Sequence, residues 1–105
     1  MAIHNKAIRD KIPEIIKKEG HSCNVKTLSD EGFLAELEKK LSEEITEYQD
    51  GKNPEELADI IEIIYQIAKL GGISKEELEK IRIKKFEERG GFEDNLFLID
   101  TTKSD

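Results

Sequence analysis

The sequence is short of the residues that mark several protein classes. It has one cysteine, Cys23, which excludes an internal disulfide framework. Its first residues include no apolar signal region, and its longest apolar runs fall far short of a membrane span. We therefore expect a cytoplasmic protein that does not enter a membrane.

Positive charge is also in deficit, because 17 Lys and Arg residues stand against 24 Asp and Glu residues and the net charge is −7. Such a chain repels nucleic-acid backbones, so binding to DNA or RNA is not expected. A phosphate-bearing ligand would have to arrive with a cation or meet a local basic patch. Linkers, repeats and low-complexity stretches are lacking too, and residues 1–105 are expected to form a single domain.

What the chain does contain is helical patterning. Isoleucines at helical spacing predict a short first helix that ends before Gly20, with Pro13 in its first turn or bending it. A long second helix is predicted over residues 30–50, with apolar residues on one face. Gly51 is expected to lie just beyond this helix as its C-terminal stop.

Two further helices have clear start signals. Asn53 is predicted as the N-cap of the third helix, with proline at the first helical position, and the helix should run to Leu70. Ser74 and Glu77 form a predicted capping box for the fourth helix, which should run to about Glu88.

Two short segments have strand-like composition. Residues 21–28 and 95–100 are rich in apolar and β-branched side chains, and they are expected to pair with each other. The predicted fold is therefore all-α, an antiparallel four-helix bundle with a minor two-stranded β element.

The acidic residues of the second and third helices are the main functional signal. At about 100° per residue, Glu44 falls within the apolar arc of its helix and Glu47 at the edge of that arc, whereas Glu43 faces the polar side. On the next helix Glu56 falls among apolar residues and Asp59 lies at their border. A short turn makes the two helices antiparallel, so these acids should converge. Buried carboxylates require a cation, either a metal ion or basic side chains.

Simpler roles for two of these acids stay open. Glu56 stands at the third helical position and could be a capping partner of Asn53. Glu47 could pair with Lys40 or with a neighbouring helix. Acids nevertheless recur at the border of the apolar face on two adjacent helices, and this repetition favours a functional site.

The pattern E-E-x-x-E followed by E-x-x-D resembles the signature of the MazG-type all-α nucleoside triphosphate pyrophosphohydrolases. Residues 5–13 (NKAIRDKIP) and 85–92 (KFEERGGF) look like those of a small single-domain, house-cleaning subgroup of that superfamily, which also includes phosphoribosyl-ATP pyrophosphohydrolase. Only eight residues separate Glu47 from Glu56, fewer than in most MazG-type proteins, so a nucleobase pocket built at this turn is in doubt.

The resemblance implies hydrolysis of a nucleoside triphosphate between its α and β phosphates, with Mg²⁺ or Mn²⁺ as cofactor. It implies that the metal is held by Glu44, Glu47, Glu56 and Asp59. Glu44 or Glu47 is the best candidate to orient the attacking water, and Glu43 would support these ligands from further away.

Two groups of basic residues could bind the phosphates. Lys85 and Arg89 continue a stripe that begins at Arg82 on the fourth helix, with surface pairing to Glu79 or Glu88 as the alternative. The second group stands before or at the start of the first helix and consists of Lys6, Arg9 and Lys11.

The third helix is apolar over about two-thirds of its circumference, so it is either central in the bundle or part of a subunit interface. The resemblance favours a homodimer or a higher homo-oligomer. Two rival functions stay open: a phosphoribosyl-ATP pyrophosphohydrolase, and a non-catalytic helical module whose acids bind a partner's basic surface.

Overall fold

Two long helices joined by a tight turn form the centre of the molecule. The computed structural model describes residues 1–103, which contain α1 (Ile12–Lys18), α2 (Asp30–Gly51), α3 (Pro54–Leu70) and α4 (Lys75–Arg89). The all-α class predicted from the sequence is confirmed for this part of the chain. α2 packs along α3, and α3 makes a smaller contact with α4.

Side-chain caps fix where the helices begin. Ser29 Oγ accepts a hydrogen bond from the Gly32 amide at 3.1 Å and thereby starts α2. The predicted caps of the next two helices are confirmed, because Asn53 Oδ1 accepts from the Glu55 amide and Ser74 Oγ accepts from the Glu77 amide.

The end of α2 differs from the prediction. Gly51 is the last helical residue, and the left-handed position that terminates the helix is taken by Lys52, with φ of 55°. The Lys52 amide donates to the Tyr48 carbonyl at 2.7 Å, which satisfies one of the free carbonyls at the helix end. The α2–α3 turn therefore consists of Lys52 and Asn53, so the two helices are joined as closely as an antiparallel pair allows.

The core is small and lies between α2, α3 and the segment before α1. Leu37 of α2, Ile63 of α3 and Ala7 are buried. Phe33, Leu41, Ile67 and Leu70 pack partly buried around them. Because Ala7 reaches this core, the N-terminal segment is fixed across the α2–α3 pair, and its basic residues lie near the acidic ones.

The predicted two-stranded element is not formed within residues 1–103, where residues 21–28 and 95–100 have no regular structure. The physical reason is that an isolated two-stranded ribbon is marginally stable unless a hydrophobic face packs against something else. Here Val25 and the side chains from Leu96 to Ile99 are exposed to solvent, so neither segment has such a surface.

α4 contacts α3 near their shared turn. The Tyr65 hydroxyl donates to Glu79 Oε1 at 3.3 Å, and the Lys75 ammonium lies 4.6 Å from the centroid of the Tyr65 ring. α1 packs against no other helix in the described part of the chain. None of the helices in residues 1–103 has the length and apolar character needed to cross a membrane.

Candidate functional site

The acids of α2 and α3 come together beside the α2–α3 turn. The pKa of Glu44 is raised above its ordinary value by partial burial first, then by the negative charges of Glu47 and Asp59, and further by Glu56. Lys40, one turn earlier on α2, opposes this rise. The charges of the other three acids singled out in the sequence thus all reach Glu44.

Two oxygen atoms of this acidic cluster, defined as Glu44, Glu47, Glu56 and Asp59, have no hydrogen-bond partner. Glu44 Oε2 and Glu56 Oε2 are inaccessible to solvent, and they are the only buried side-chain polar atoms in residues 1–103 left unpaired. A buried acceptor without a donor costs about 1–3 kcal/mol, and more when it is charged. Each of these atoms, one on α2 and one on α3, is therefore suited to receive a cation.

The unpaired Glu56 oxygen also bears on whether Glu56 serves only as a capping partner of Asn53. Asn53 caps α3 through the Glu55 amide, and Glu56 itself donates its amide to the Asn53 carbonyl at 3.1 Å. The Glu56 Oε2 atom takes no part in the cap. Capping therefore does not account for the buried carboxylate.

Asp59 already has a basic partner. Arg9 Nη2 donates to Asp59 Oδ1 at 2.6 Å, and both side chains stay partly exposed. Arg9 was expected to bind phosphate, and the structure places it at the edge of the acidic cluster. A bond of this kind across a half-exposed surface contributes about 0–1 kcal/mol of stability, so it can be exchanged for another partner at little cost.

The carboxylate oxygens of the acidic cluster are suitable ligands for a metal ion, although the side chains are not arranged around a single ion position. No three His, Cys, Asp or Glu side chains in residues 1–103 are grouped closely enough to hold one ion together. Carboxylate oxygens are nevertheless the ligands preferred by Mg²⁺ and Mn²⁺. The two unpaired oxygens are therefore the atoms of this structure that fit such an ion best.

Of the three acids in the E-E-x-x-E motif on α2, Glu43 and Glu47 are exposed. Together with Ser42 and Thr46 they line a shallow open groove. Glu43 also borders a separate cleft beneath the N-terminal segment, which includes Lys6. The structure thus agrees with the prediction that Glu43 faces away from the apolar arc.

The basic stripe of α4 makes no ion pair with the acidic cluster among residues 1–103. Lys85 and Arg89 are exposed and have no ion-pair partner among residues 1–103. Arg82 instead pairs with Glu79, the alternative foreseen from the sequence, through a 2.8 Å bond that lowers the pKa of Glu79. Lys11 precedes α1 without a side-chain cap bond and is also exposed.

The sequence analysis missed Lys39 and considered Lys40 only as a partner of Glu47. Both lysines of α2 border the cleft beneath the N-terminal segment. The available signal was the i,i+4 spacing, which places Lys39 on the same helix face as Glu43 and Lys40 on the same face as Glu44. The approach of Lys6 to them depends on the burial of Ala7, which no local pattern announces.

Comparison with known proteins adds sequence similarity but no activity. No family model matches the chain, and no solved structure matches it. A stretch of 40 residues, 38% of this chain, is 45% identical to an uncharacterized protein of Mycolicibacterium smegmatis. The match spans 41% of that protein, so the chain covers less than half the length of this relative.

Proposed function

We propose that the protein is a Mg²⁺-dependent nucleoside triphosphate pyrophosphohydrolase, which splits its substrate into a nucleoside monophosphate and pyrophosphate. The observation that carries the proposal is the pair of buried, unpaired oxygens on Glu44 and Glu56, one in the E-E-x-x-E motif and one in the E-x-x-D motif. Buried charge of this kind is costly and is commonly found at functional sites.

The metal would be held by Glu44, Glu47, Glu56 and Asp59. When bound, it supplies neutralisation of phosphate charge and Lewis-acid activation of water. We assign Glu44, whose partly buried carboxylate is surrounded by the charges of the other three acids, the task of orienting the attacking water. Glu47 is the second candidate for this task.

The Arg9–Asp59 pair supports a role for the N-terminal segment in binding. Arg9 is held at the acidic cluster by a single 2.6 Å hydrogen bond to Asp59. If Asp59 served as a metal ligand, the Arg9 guanidinium group would be free to donate to a phosphate oxygen instead. Such charge-assisted hydrogen bonds are about twice as strong as neutral ones.

We further propose that the four-helix bundle is completed by a second copy of the chain. Within residues 1–103 only Ala7, Leu37 and Ile63 are buried, whereas Ile61 of α3 and Phe86 of α4 are 51% and 53% exposed. An apolar α3 face left open in this way supports a homodimer or a higher homo-oligomer. Such an assembly could also carry Lys85 and Arg89 to the acidic cluster of a neighbouring copy.

The test is a pyrophosphate-release assay over ordinary and modified nucleoside triphosphates and phosphoribosyl-ATP, with and without Mg²⁺. Wild type should release pyrophosphate rather than orthophosphate, and only with the metal. Glu56→Ala should lower the rate at least 100-fold, about 2.7 kcal/mol of barrier. Glu62→Ala, an exposed acid on the same helix, is the matched control and should leave the rate unchanged.

A second candidate, a non-catalytic module that binds basic surfaces, is favoured by one observation. Asp59 already binds a guanidinium group within the chain, so the acids could bind those of a partner. The same assay separates the two functions, because a binding module gives no Mg²⁺-dependent pyrophosphate release from any substrate. That outcome would overturn the enzymatic proposal.

A further inference from the structure

A cleft of about 110 Å³ lies between the N-terminal segment and the middle of α2. Lys6 borders it on one side, and Lys39, Lys40 and Glu43 border it on the other. The buried Ala7, next to Lys6, fixes the N-terminal wall against the core. The cleft is therefore part of the folded structure and does not depend on a loose chain end.

The charges around this cleft favour an anion. None of the three lysine ammonium groups has a carboxylate oxygen within 4.0 Å among the described residues. Three lysines line this small space, and the two glutamates that also line it, Glu36 and Glu43, offset their positive charge only in part. In a chain of net charge −7, this is the local basic patch that a phosphate group needs.

The cleft lies next to the acidic cluster along α2. Lys40 stands one turn before Glu44 and is close enough for its charge to act on that carboxylate. Glu43 lines both the cleft and the groove that contains Glu47. A chain of phosphates that starts at the acidic cluster can therefore extend towards the start of α2 and reach the three lysines.

The size of the cleft indicates which part of a nucleotide it takes. A volume of about 110 Å³ holds several water molecules or a few phosphate atoms, since one water needs only about 10–15 Å³ by such a measure. Pockets that enclose a larger organic ligand run to about 300–1,000 Å³. The nucleoside itself is therefore excluded from this space.

We propose that the cleft binds the pyrophosphate end of the substrate, with Lys6, Lys39 and Lys40 as its ligands. This assignment rests on the proposed function and deepens it, because it gives the leaving group a place and directs the base and sugar to the opposite side of the acidic cluster. Lys39 and Lys40 become substrate-binding residues alongside Lys6.

Isothermal titration of the full chain with inorganic pyrophosphate tests the assignment directly. With a chelator present, wild type should bind pyrophosphate more tightly than orthophosphate, and adenosine monophosphate should not displace it. Lys39→Ala and Lys6→Ala should each weaken pyrophosphate binding at least tenfold. Lys80→Ala, an exposed and unpaired lysine of α4, removes the same charge and should change the affinity less than twofold.

The outcomes distinguish failure of the cleft from failure of the enzymatic proposal. Loss of pyrophosphate binding in the two cleft variants, in a protein that hydrolyses no nucleotide, supports the cleft as a site for free pyrophosphate and overturns the enzyme. Hydrolysis by wild type, combined with unchanged pyrophosphate affinity and unchanged KM in Lys39→Ala and Lys6→Ala, overturns the cleft. Absence of pyrophosphate binding by wild type overturns it as well.

Discussion

Glu44 combines burial, like-charged neighbours and an unpaired oxygen in one side chain. Its pKa is higher in the folded chain than in the unfolded one, so the charged form is the one that folding penalises. The contribution of Glu44 therefore favours folding at acid pH and is lost as pH rises through the raised pKa. At neutral pH without metal, this residue works against stability.

Replacing Glu44 by Gln should therefore stabilise the metal-free protein at pH 7, because desolvation of the charge and repulsion by Glu47 and Asp59 both disappear. The difference from wild type should vanish below the ordinary pKa of 4.5, where both states bind the proton. Thermal melts in the presence of a chelator at pH 4 and pH 7 measure the stability difference between Glu44→Gln and wild type, with Glu62→Gln as the control. A variant less stable than wild type at pH 7 contradicts this view of the site.

At the scale of single residues, only part of the candidate site could be predicted from the sequence. The inward direction of Glu44 and Glu56 was predictable, because helical periodicity is local and strong. The partner of Asp59 was not, since Arg9 lies 50 residues away and its position depends on the burial of Ala7. Tertiary contacts of this kind leave no periodic pattern in one sequence.

The helix termini were the most predictable elements. Asn53 and Ser74 cap their helices as expected, because the bonds involved span two or three residues. The predicted end of α2 was wrong by one residue, because Lys52 and not Gly51 adopts the left-handed conformation. A lysine there is unfavourable by itself, and its ammonium group lies 5.4 Å from the Tyr48 ring centroid, a compensating attraction.

Two glycines test this account of the termini. A Cβ atom at Gly51 or at Gly72 would meet nothing within 4 Å, but only Gly72 has a positive φ, of +86°. Gly51→Ala should thus be neutral or stabilise by up to about 1 kcal/mol. Gly72→Ala should destabilise by about 1–2 kcal/mol because of its left-handed backbone. Denaturant unfolding compares them, and equal losses for both would contradict the assignment of Lys52.

α4 carries a second testable feature in Lys85 and Arg89. If an assembled protein brings them to the triphosphate, Arg89→Ala should lower kcat/KM at least tenfold, about 1.4 kcal/mol, with little change in stability. Lys80→Ala on the same helix is the control. Lys75 is unsuitable for this purpose because it lies over the Tyr65 ring. Near-wild-type rates for Arg89→Ala, Lys85→Ala and the control alike would remove the stripe from the active site.

The described residues form a more open structure than a compact domain of this length. Its radius of gyration is 18.8 Å, against about 13 Å for a compact chain of this length. The extended residues after α4, in which Phe92 is 98% exposed, contribute to this shape. The helical class was predictable from local patterns, whereas the way the helices close around a core was not, because covering surfaces can come from another molecule.

We expect wild type to sediment as a dimer or a larger assembly. Ile61→Glu should shift the protein towards monomer at micromolar concentration, because it places a charge in the open α3 face, while the exposed position keeps the helix intact. Val25→Glu, an exposed apolar position outside the helices, is the control. Sedimentation equilibrium gives the mass, and a monomeric wild type at all concentrations would rule out the assembly.

The two-residue turn between α2 and α3 has a consequence for how the chain folds. Contacts across this turn join residues that are near in sequence, and low contact order is associated with folding in microseconds to milliseconds. All four carboxylates of the acidic cluster belong to this pair of helices, so we expect their mutual repulsion to arise when the pair forms and to be present already in the folding transition state. Substitutions at Glu44 should therefore speed folding more than they slow unfolding. The residues assigned to catalysis would then also set the speed at which the protein reaches its native state.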